Sequence, residues 1–132
     1  MPESISVSTT SRFQMLNITG SVQDMVKRSG IKQGLVSVFV PHTTAGVTIN
    51  ESADPDVVTD ILEHVSKAVP RNSDYRHAEG NSDSHILASF FGSSVNVIIE
   101  GGKLQLGTWQ GIFFCEFDGP RNRNVWVKVL KG

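Results

Sequence analysis

The spacing of apolar positions changes along the chain, and the changes mark out strands and helices. Residues 3–9 alternate polar side chains with Ile5 and Val7, and residues 12–18 place Phe13, Met15 or Leu16, and Ile18 in a second strand-like run, which predicts two N-terminal strands. Val22, Met25 and Val26 then share one helical face. Thr19 or Ser21 stands where a cap belongs, and Gly30 can supply a left-handed stop. Residues 34–40 and 45–50 are β-rich and broken at Pro41-His42. The clearest helix begins at Asp54, a good N-cap, with Pro55 in the first turn, where its missing N–H costs nothing. Its apolar residues Val57, Val58, Ile61, Leu62, Val65, Ala68 and Val69 form an i, i+3/i+4 stripe that ends at Pro70, so one face is expected to pack on a sheet. Residues 71–83 are polar and contain Gly80, predicting a long loop of a length that is usually functional or disordered. A short helix over 84–91 is expected to follow. Residues 95–100, 103–109, 111–117 and 123–130 then read as four consecutive antiparallel strands.

With 132 residues, 39% hydrophobic and 19% charged, the chain is expected to form one domain over 1–132 with enough apolar surface for a core. No internal repeat, linker or low-complexity tract divides it. Twelve basic and 13 acidic side chains leave a net charge of −1, so no global field attracts nucleic acid or an anionic membrane, and any anion site must be local. The lone cysteine, Cys115, has no partner for a disulfide or a thiolate metal cage, which favours a reducing compartment. The start MPESISVSTT lacks a basic, apolar signal pattern, and no run approaches the roughly 20 apolar residues that span a bilayer. A soluble, cytoplasmic protein is expected.

The residues with chemistry to offer fall into three polar clusters, each attached to an apolar run. They are His42-Thr43-Thr44 after GLVSVFVP, His77-Ala78-Glu79-Gly80-Asn81 leading to His85, and Asp118-Gly119-Pro120-Arg121 with Arg123 after GIFFCEF. Loops held by stiff elements are where small folds place reactive groups, so three such loops suggest one site. His42 reads either as a turn histidine bonded to the backbone or as a ligand-binding ring. His77 and His85 can meet where a loop turns into a helix, whereas His64 lies off the apolar stripe of its helix and reads as surface. Three neutral imidazoles, His42, His77 and His85, would suit zinc; the same rings partly protonated would suit phosphate. Sequence does not choose between them. His77-Ala78-Glu79 mimics the His-x-Glu of zinc deaminases, but the required cysteine pair is missing.

Asp118-Gly119-Pro120 reads as a turn, and Arg121 and Arg123 beside it make either a surface ion pair or a phosphate or pyrophosphate clamp, because the guanidinium fork matches such oxygens. Gly101-Gly102-Lys103 is a hairpin turn. In Gly107-Thr108-Trp109-Gln110-Gly111, Trp109 is either core or a stacking platform for a flat heterocycle whose edge Gln110 reads. Glu51, after GVTIN, adds a carboxylate able to hold Mg²⁺ or act as a base.

The order HTTAGVTINES, DPDVVTDILEHVSKAVP, YRHAEGNSDSH and GGKLQLGTWQGIFFCEFDGPRNR resembles the YjbQ family, known for a weak, secondary thiamine-phosphate synthase activity. The likeness runs from about residue 34 to the C-terminus. It implies an α+β single domain with antiparallel β-sheets in a sandwich-like arrangement and two or three helices, assembled as a homotrimer. It also implies a polar site, which carried over residue by residue takes in His42, Thr43, Glu51, His77, Asn81, His85, Thr108, Gln110, Asp118 and Arg121. Ser82-Asp83-Ser84 departs from the small apolar residues expected before His85.

The implied reaction joins an aminopyrimidine pyrophosphate to a thiazole phosphate with release of pyrophosphate, so the site must hold two heterocycles in line and stabilise departing charge. Catalytic roles would fall to His42, His77, His85 and Glu51. Substrate binding would fall to Thr43, Asn81, Thr108, Trp109, Gln110, Asp118, Arg121 and Arg123, with a divalent metal, Mg²⁺ or Zn²⁺, as the one expected cofactor. The partner is a small phosphorylated heterocycle, not nucleic acid or membrane. Two rivals stand beside this: a zinc-dependent hydrolase using the three histidines, and a non-catalytic module that binds a phosphorylated metabolite.

Overall fold

Alternating Val and Ile positions give the first sheet its buried face. In the computed structural model, which describes residues 2–132, the strands β1 (Glu3–Ser8), β8 (Asn122–Lys131), β3 (Gln33–Phe39), β5 (Ser94–Glu100) and β6 (Lys103–Leu104) lie in that order in one antiparallel sheet. A second antiparallel sheet has the order β2 (Gln14–Asn17), β7 (Gln110–Glu116), β4 (Ala45–Glu51). Val7, Val36, Val38, Val97, Ile99, Val125 and Val127 of the first sheet meet Val47, Ile112 and Phe114 of the second, and helix α1 (Thr19–Ser29) closes this core with Val22, Met25 and Val26. The opposite face of the second sheet carries Met15, Phe113, Cys115 and Phe117 against helices α2 (Pro55–Ala68) and α3 (Ser82–Phe91). The protein is therefore an α+β single domain of two antiparallel sheets and three helices. β7 is covered on both faces, which explains why GIFFC is a continuous apolar run rather than an alternating one.

Several local expectations need correction. The last four strands do not form one consecutive sheet, because β7 belongs to the second sheet and β8 returns to the first. The strand expected over 103–109 ends at Leu104. Gly107 N–H bonds Gln110 Oε1 and Gln110 N–H bonds the Gly107 carbonyl, so a turn uses the backbone groups a ladder would need. α1 is capped by neither Thr19 nor Ser21; Asn17 Oδ1 accepts the Thr19 N–H from outside the helix, at 3.0 Å. Gly30 does end α1 in the left-handed region, with φ 72°. Asp54 caps α2 by accepting the Asp56 N–H at 2.9 Å. The stripe of α2 packs on the second sheet through Val58, Ile61, Leu62 and Val65, yet no residue of this helix is fully buried.

α3 lies close to the second sheet because Gly46 of β4 has no side chain. A Cβ there would sit 2.7 Å from the Gly92 carbonyl oxygen and 3.3 Å from Phe91 Cβ. The backbone bond from Val47 N–H to the Gly92 carbonyl, 3.1 Å, ties strand to helix end. That contact sets where the N-terminus of α3 begins its approach to the loops after β3 and β7.

Candidate functional site

Three loops meet at one end of the sandwich. The first follows β3 and carries Pro41, His42, Thr43 and Thr44; the second leads into α3 with Glu79, Asn81 and His85; the third follows β7 with Asp118 and Arg121. Together they line a cleft of about 350 Å³, with Arg123 at its floor. His42, Thr43 and His85 also border an adjoining cleft of about 430 Å³.

A buried polar network holds the first and third loops in register. Glu116, 0% exposed, and Arg123, 5% exposed, form an ion pair through both Arg123 Nε and Nη2. Arg123 Nη2 also donates to Thr44 Oγ1 at 2.8 Å, fixing the first loop. Glu116 Oε2 accepts the Asp118 N–H at 3.0 Å, and Glu116 Oε1 accepts from Thr9 Oγ1 at 2.8 Å. Thr9 Oγ1 in turn accepts the Arg121 N–H at 2.8 Å, so the third loop is gripped at both ends. That loop contains a cis Gly119–Pro120 peptide, and a Cβ on Gly119 would lie 2.3 Å from the Ser11 carbonyl oxygen, so only glycine fits. Burial alone would push the Glu116 carboxyl up, but the hydrogen bonds from Arg123, Asp118 and Thr9 outweigh it and hold it below the ordinary carboxylate range.

The second loop is anchored separately. Arg12 makes a bidentate pair with the buried Asp83, at 3.0 and 2.9 Å, and reaches Ser84 Oγ at 3.2 Å, while Ser84 Oγ donates to the Phe117 carbonyl. Ser82-Asp83-Ser84 is thus the buried joint between α3 and β7. Sequence reading missed Thr9, Arg12, Asp83 and Glu116. A usable signal existed for Glu116, a charged residue inside GIFFCEF; nothing local marked Arg12.

In the cleft, Asp118 Oδ2 accepts from Asn81 Nδ2 and from Arg121 Nη2, both at 2.9 Å, and the Asp118 carbonyl accepts from Arg121 Nε at 2.8 Å. Arg121 is held as a positioned but half-exposed cation. His42 Nε2 accepts the Asn124 N–H at 3.0 Å, and burial together with the nearby Arg123 lowers its pKa below the ordinary histidine value, which favours the neutral ring. His77 stands edge-on to His85, with ring centroids 5.2 Å apart, and its Nε2 is 3.8 Å from Glu79 Oε2 on the exposed side.

The cleft gathers His42, Thr43, Asn81, His85, Asp118 and Arg121, with His77 beside His85. Arg123 lies at the cleft with Nε and Nη2 committed to Glu116 and Thr44, which leaves Nη1 without a partner among the described residues. Glu51, Thr108, Trp109 and Gln110 are not brought to the cleft. β4 begins at the site with Ala45 opposite Glu116 and ends with Glu51 opposite Gln110, six residues or roughly 20 Å away at strand rise. Trp109, 61% exposed, sits at that far end, where its carbonyl accepts the Ser52 N–H. His64 is exposed on α2, as expected. Within the described residues no helix is long and apolar enough to cross a membrane.

A metal fit rests on donor chemistry. Zinc bound by three histidines needs a free lone pair on each ring, and the His42 Nε2 lone pair is taken by Asn124. Zinc shared by His42, His77 and His85 therefore does not fit. A hard cation such as Mg²⁺ would find the Asp118 carboxylate, whose Oδ1 has no hydrogen-bond partner among the described residues.

Two antiparallel sheets, three helices and a polar cleft built from loops at one end define a small single-domain α+β protein. The chain belongs to the YjbQ family: the family model described as "UPF0047 protein YjbQ-like" matches residues 3–132. The chain is 46% identical over 131 residues to the UPF0047 protein YugU of Bacillus subtilis, covering 98% of this chain and 99% of that protein. It is 48% identical over 124 residues to a UPF0047 protein of Methanocaldococcus jannaschii, covering 94% and 90%. A crystal structure of a YjbQ/UPF0047 family protein from Clostridium acetobutylicum superposes with a TM-score of 0.96 at 55% identity, covering 97% of this chain and 99% of that one. A YbjQ-like protein from Sulfolobus solfataricus gives 0.94 at 35% identity, covering 98% and 96%.

Proposed function

We propose that the cleft binds a small pyrophosphorylated heterocycle and supports thiamine-phosphate-synthase-like transfer as a weak activity. The single observation that carries this reading is the Asn81–Asp118–Arg121 arrangement facing His42 and His85 across the cleft of about 350 Å³. Arg121 is oriented by two bonds to Asp118 and keeps Nη1 free of partners among the described residues, which suits an anionic oxygen. Asn81 Oδ1 is a buried acceptor without a partner among the described residues, and an aminopyrimidine supplies the N–H donor it lacks.

In the reaction, the thiazole ring nitrogen attacks the pyrimidine methylene carbon, the C–N bond forms, and the C–O bond to pyrophosphate breaks with both electrons leaving on pyrophosphate. Mg²⁺, when bound, would be held by Asp118 and would neutralise the leaving group. Arg121 and the imidazoles position and neutralise charge, and no covalent nucleophile is needed, since Cys115 is buried and its thiol is pushed up to about 12. A cytoplasmic location and a homotrimer belong to the same reading; light scattering checks the latter.

The test is formation of thiamine phosphate from the two phosphorylated precursors with Mg²⁺, comparing wild type with His85→Ala and Arg121→Ala at matched folding. Turnover that is lost in both variants supports the transferase. Pyrophosphate binding without turnover would replace it with the binding-module reading.

A further inference from the structure

We propose that His42 is a hydrogen-bond donor of fixed tautomer that selects an anionic phosphoryl oxygen in the cleft and does not ligate a metal. The inference rests on the phosphorylated-ligand reading above for the identity of the occupant, but its structural half stands alone.

A neutral imidazole has one N–H and one lone pair, and which nitrogen holds which is set by the partner of the first. Here the Asn124 backbone N–H points at Nε2 from 3.0 Å. A backbone amide can only donate, so Nε2 must hold the lone pair and the proton must sit on Nδ1. Placing a proton on Nε2 would set two donors against each other. Asn124 cannot retreat, because it lies in β8 paired to Ser6 of β1, one residue from the buried Arg123 that grips Glu116 and Thr44. Protonating both nitrogens is opposed by the same clash, and Arg123 and Arg121 disfavour a cationic ring beside them.

The consequence is chemical selectivity. His42 borders both clefts, and the only nitrogen left to meet a ligand is Nδ1, which has no partner among the described residues. An N–H cannot coordinate a cation but can donate to a phosphoryl or carboxylate oxygen. With Arg121 held by Asp118 in the same cleft, His42 Nδ1–H adds a neutral, directional donor to a fixed cation. A charged ligand oxygen is what that pair recognises.

The experiment is long-range ¹H–¹⁵N correlation NMR of the full chain with labelled histidine, with resonances assigned by His42→Asn. We expect the His42 pattern of a protonated Nδ1 and bare Nε2, unchanged by stoichiometric Zn²⁺ and shifted at Nδ1–H by inorganic pyrophosphate. Pyrophosphate affinity should fall about tenfold or more in His42→Leu, the loss expected for a hydrogen bond to a charged group. It should fall less in His42→Asn, whose amide N–H stands near the place of Nδ1. A protonated Nε2, or a zinc-induced shift at either His42 nitrogen, overturns the tautomer assignment. The predicted tautomer with no response to pyrophosphate overturns the donor role. A pyrophosphate response with no thiamine phosphate formed sinks the transferase reading and leaves this inference standing.

Discussion

Replacing Glu116 with Gln removes one charge from an ion pair that water does not reach. The carboxylate accepts from Thr9 Oγ1, the Asp118 N–H and two nitrogens of Arg123, so both oxygens are surrounded by donors. An amide at this place turns one oxygen into an NH₂ that faces a donor whichever way it is flipped, and leaves the 5% exposed guanidinium without a counter-ion. Breaking a buried pair by removing one partner costs about 3–5 kcal/mol. With an unfolding entropy of about 2.1 cal/mol/K per residue, a chain of this length loses roughly 3–4 °C of Tm per kcal/mol, so the expected drop is on the order of 10–20 °C. The assay is urea and thermal unfolding followed by circular dichroism, with the double variant Glu116→Leu/Arg123→Met as comparison. The double variant should lose less than Glu116→Gln, because it leaves no unpaired charge. A loss under about 1 kcal/mol in Glu116→Gln, or a double variant that loses more than Glu116→Gln, would refute the argument that the network is a desolvated pair holding the first and third loops.

Three further outcomes follow from other parts of the molecule. Gly46→Ala places a methyl 2.7 Å from the Gly92 carbonyl and should push α3 off β4, costing about 1–3 kcal/mol in denaturant unfolding and disturbing His85 resonances. His64→Ala, on the exposed face of α2, should change stability by less than about 0.5 kcal/mol and leave pyrophosphate binding unchanged; a larger effect on either would place His64 in a contact that the fold does not contain. His42 has its pKa lowered in the folded state, so its contribution to stability is present above its ordinary value of 6.5 and is lost as pH falls below that; wild type should therefore lose stability across that range more steeply than His42→Asn, and equal slopes would be inconsistent with a partly buried ring held in its neutral form.

The parts of the fold legible in the sequence are those fixed by local chemistry. Asp54-Pro55 announces the start of α2 because capping and proline act within one turn, and Gly30 marks the end of α1 for the same reason. The stripe of α2 told which face turns inward but not how deeply, since burial depends on what the second sheet offers in return. The sheets were less legible. Four successive β-rich runs look alike whether they form one sheet or alternate between two, and the difference lies in the turn closed by Gly107 and Gln110, whose side-chain bond has no local signature.

The candidate site divides along the same line. Polar clusters following apolar runs identified the first and third loops, because strands that end together deliver their loops to one edge, while the second reaches the same edge through the start of α3. Glu51 and Trp109 do not join the cleft within one chain, since they stand at the opposite end of strands whose near ends reach it, and strand length rather than residue type decides that. Arg121 and Arg123 looked equivalent as a pair, yet they lie two residues apart across the start of β8. Arg121 stays in the loop with half its side chain in solvent, whereas Arg123 occupies the first inward position of the strand and meets Glu116 from the preceding one. A charged residue that lands on an inward strand position needs a partner from a neighbouring strand, and Glu116 in GIFFCEF is the one available. The second arginine of the motif therefore ties the loops around the cleft together, and the first stays at its half-exposed edge beside Asp118.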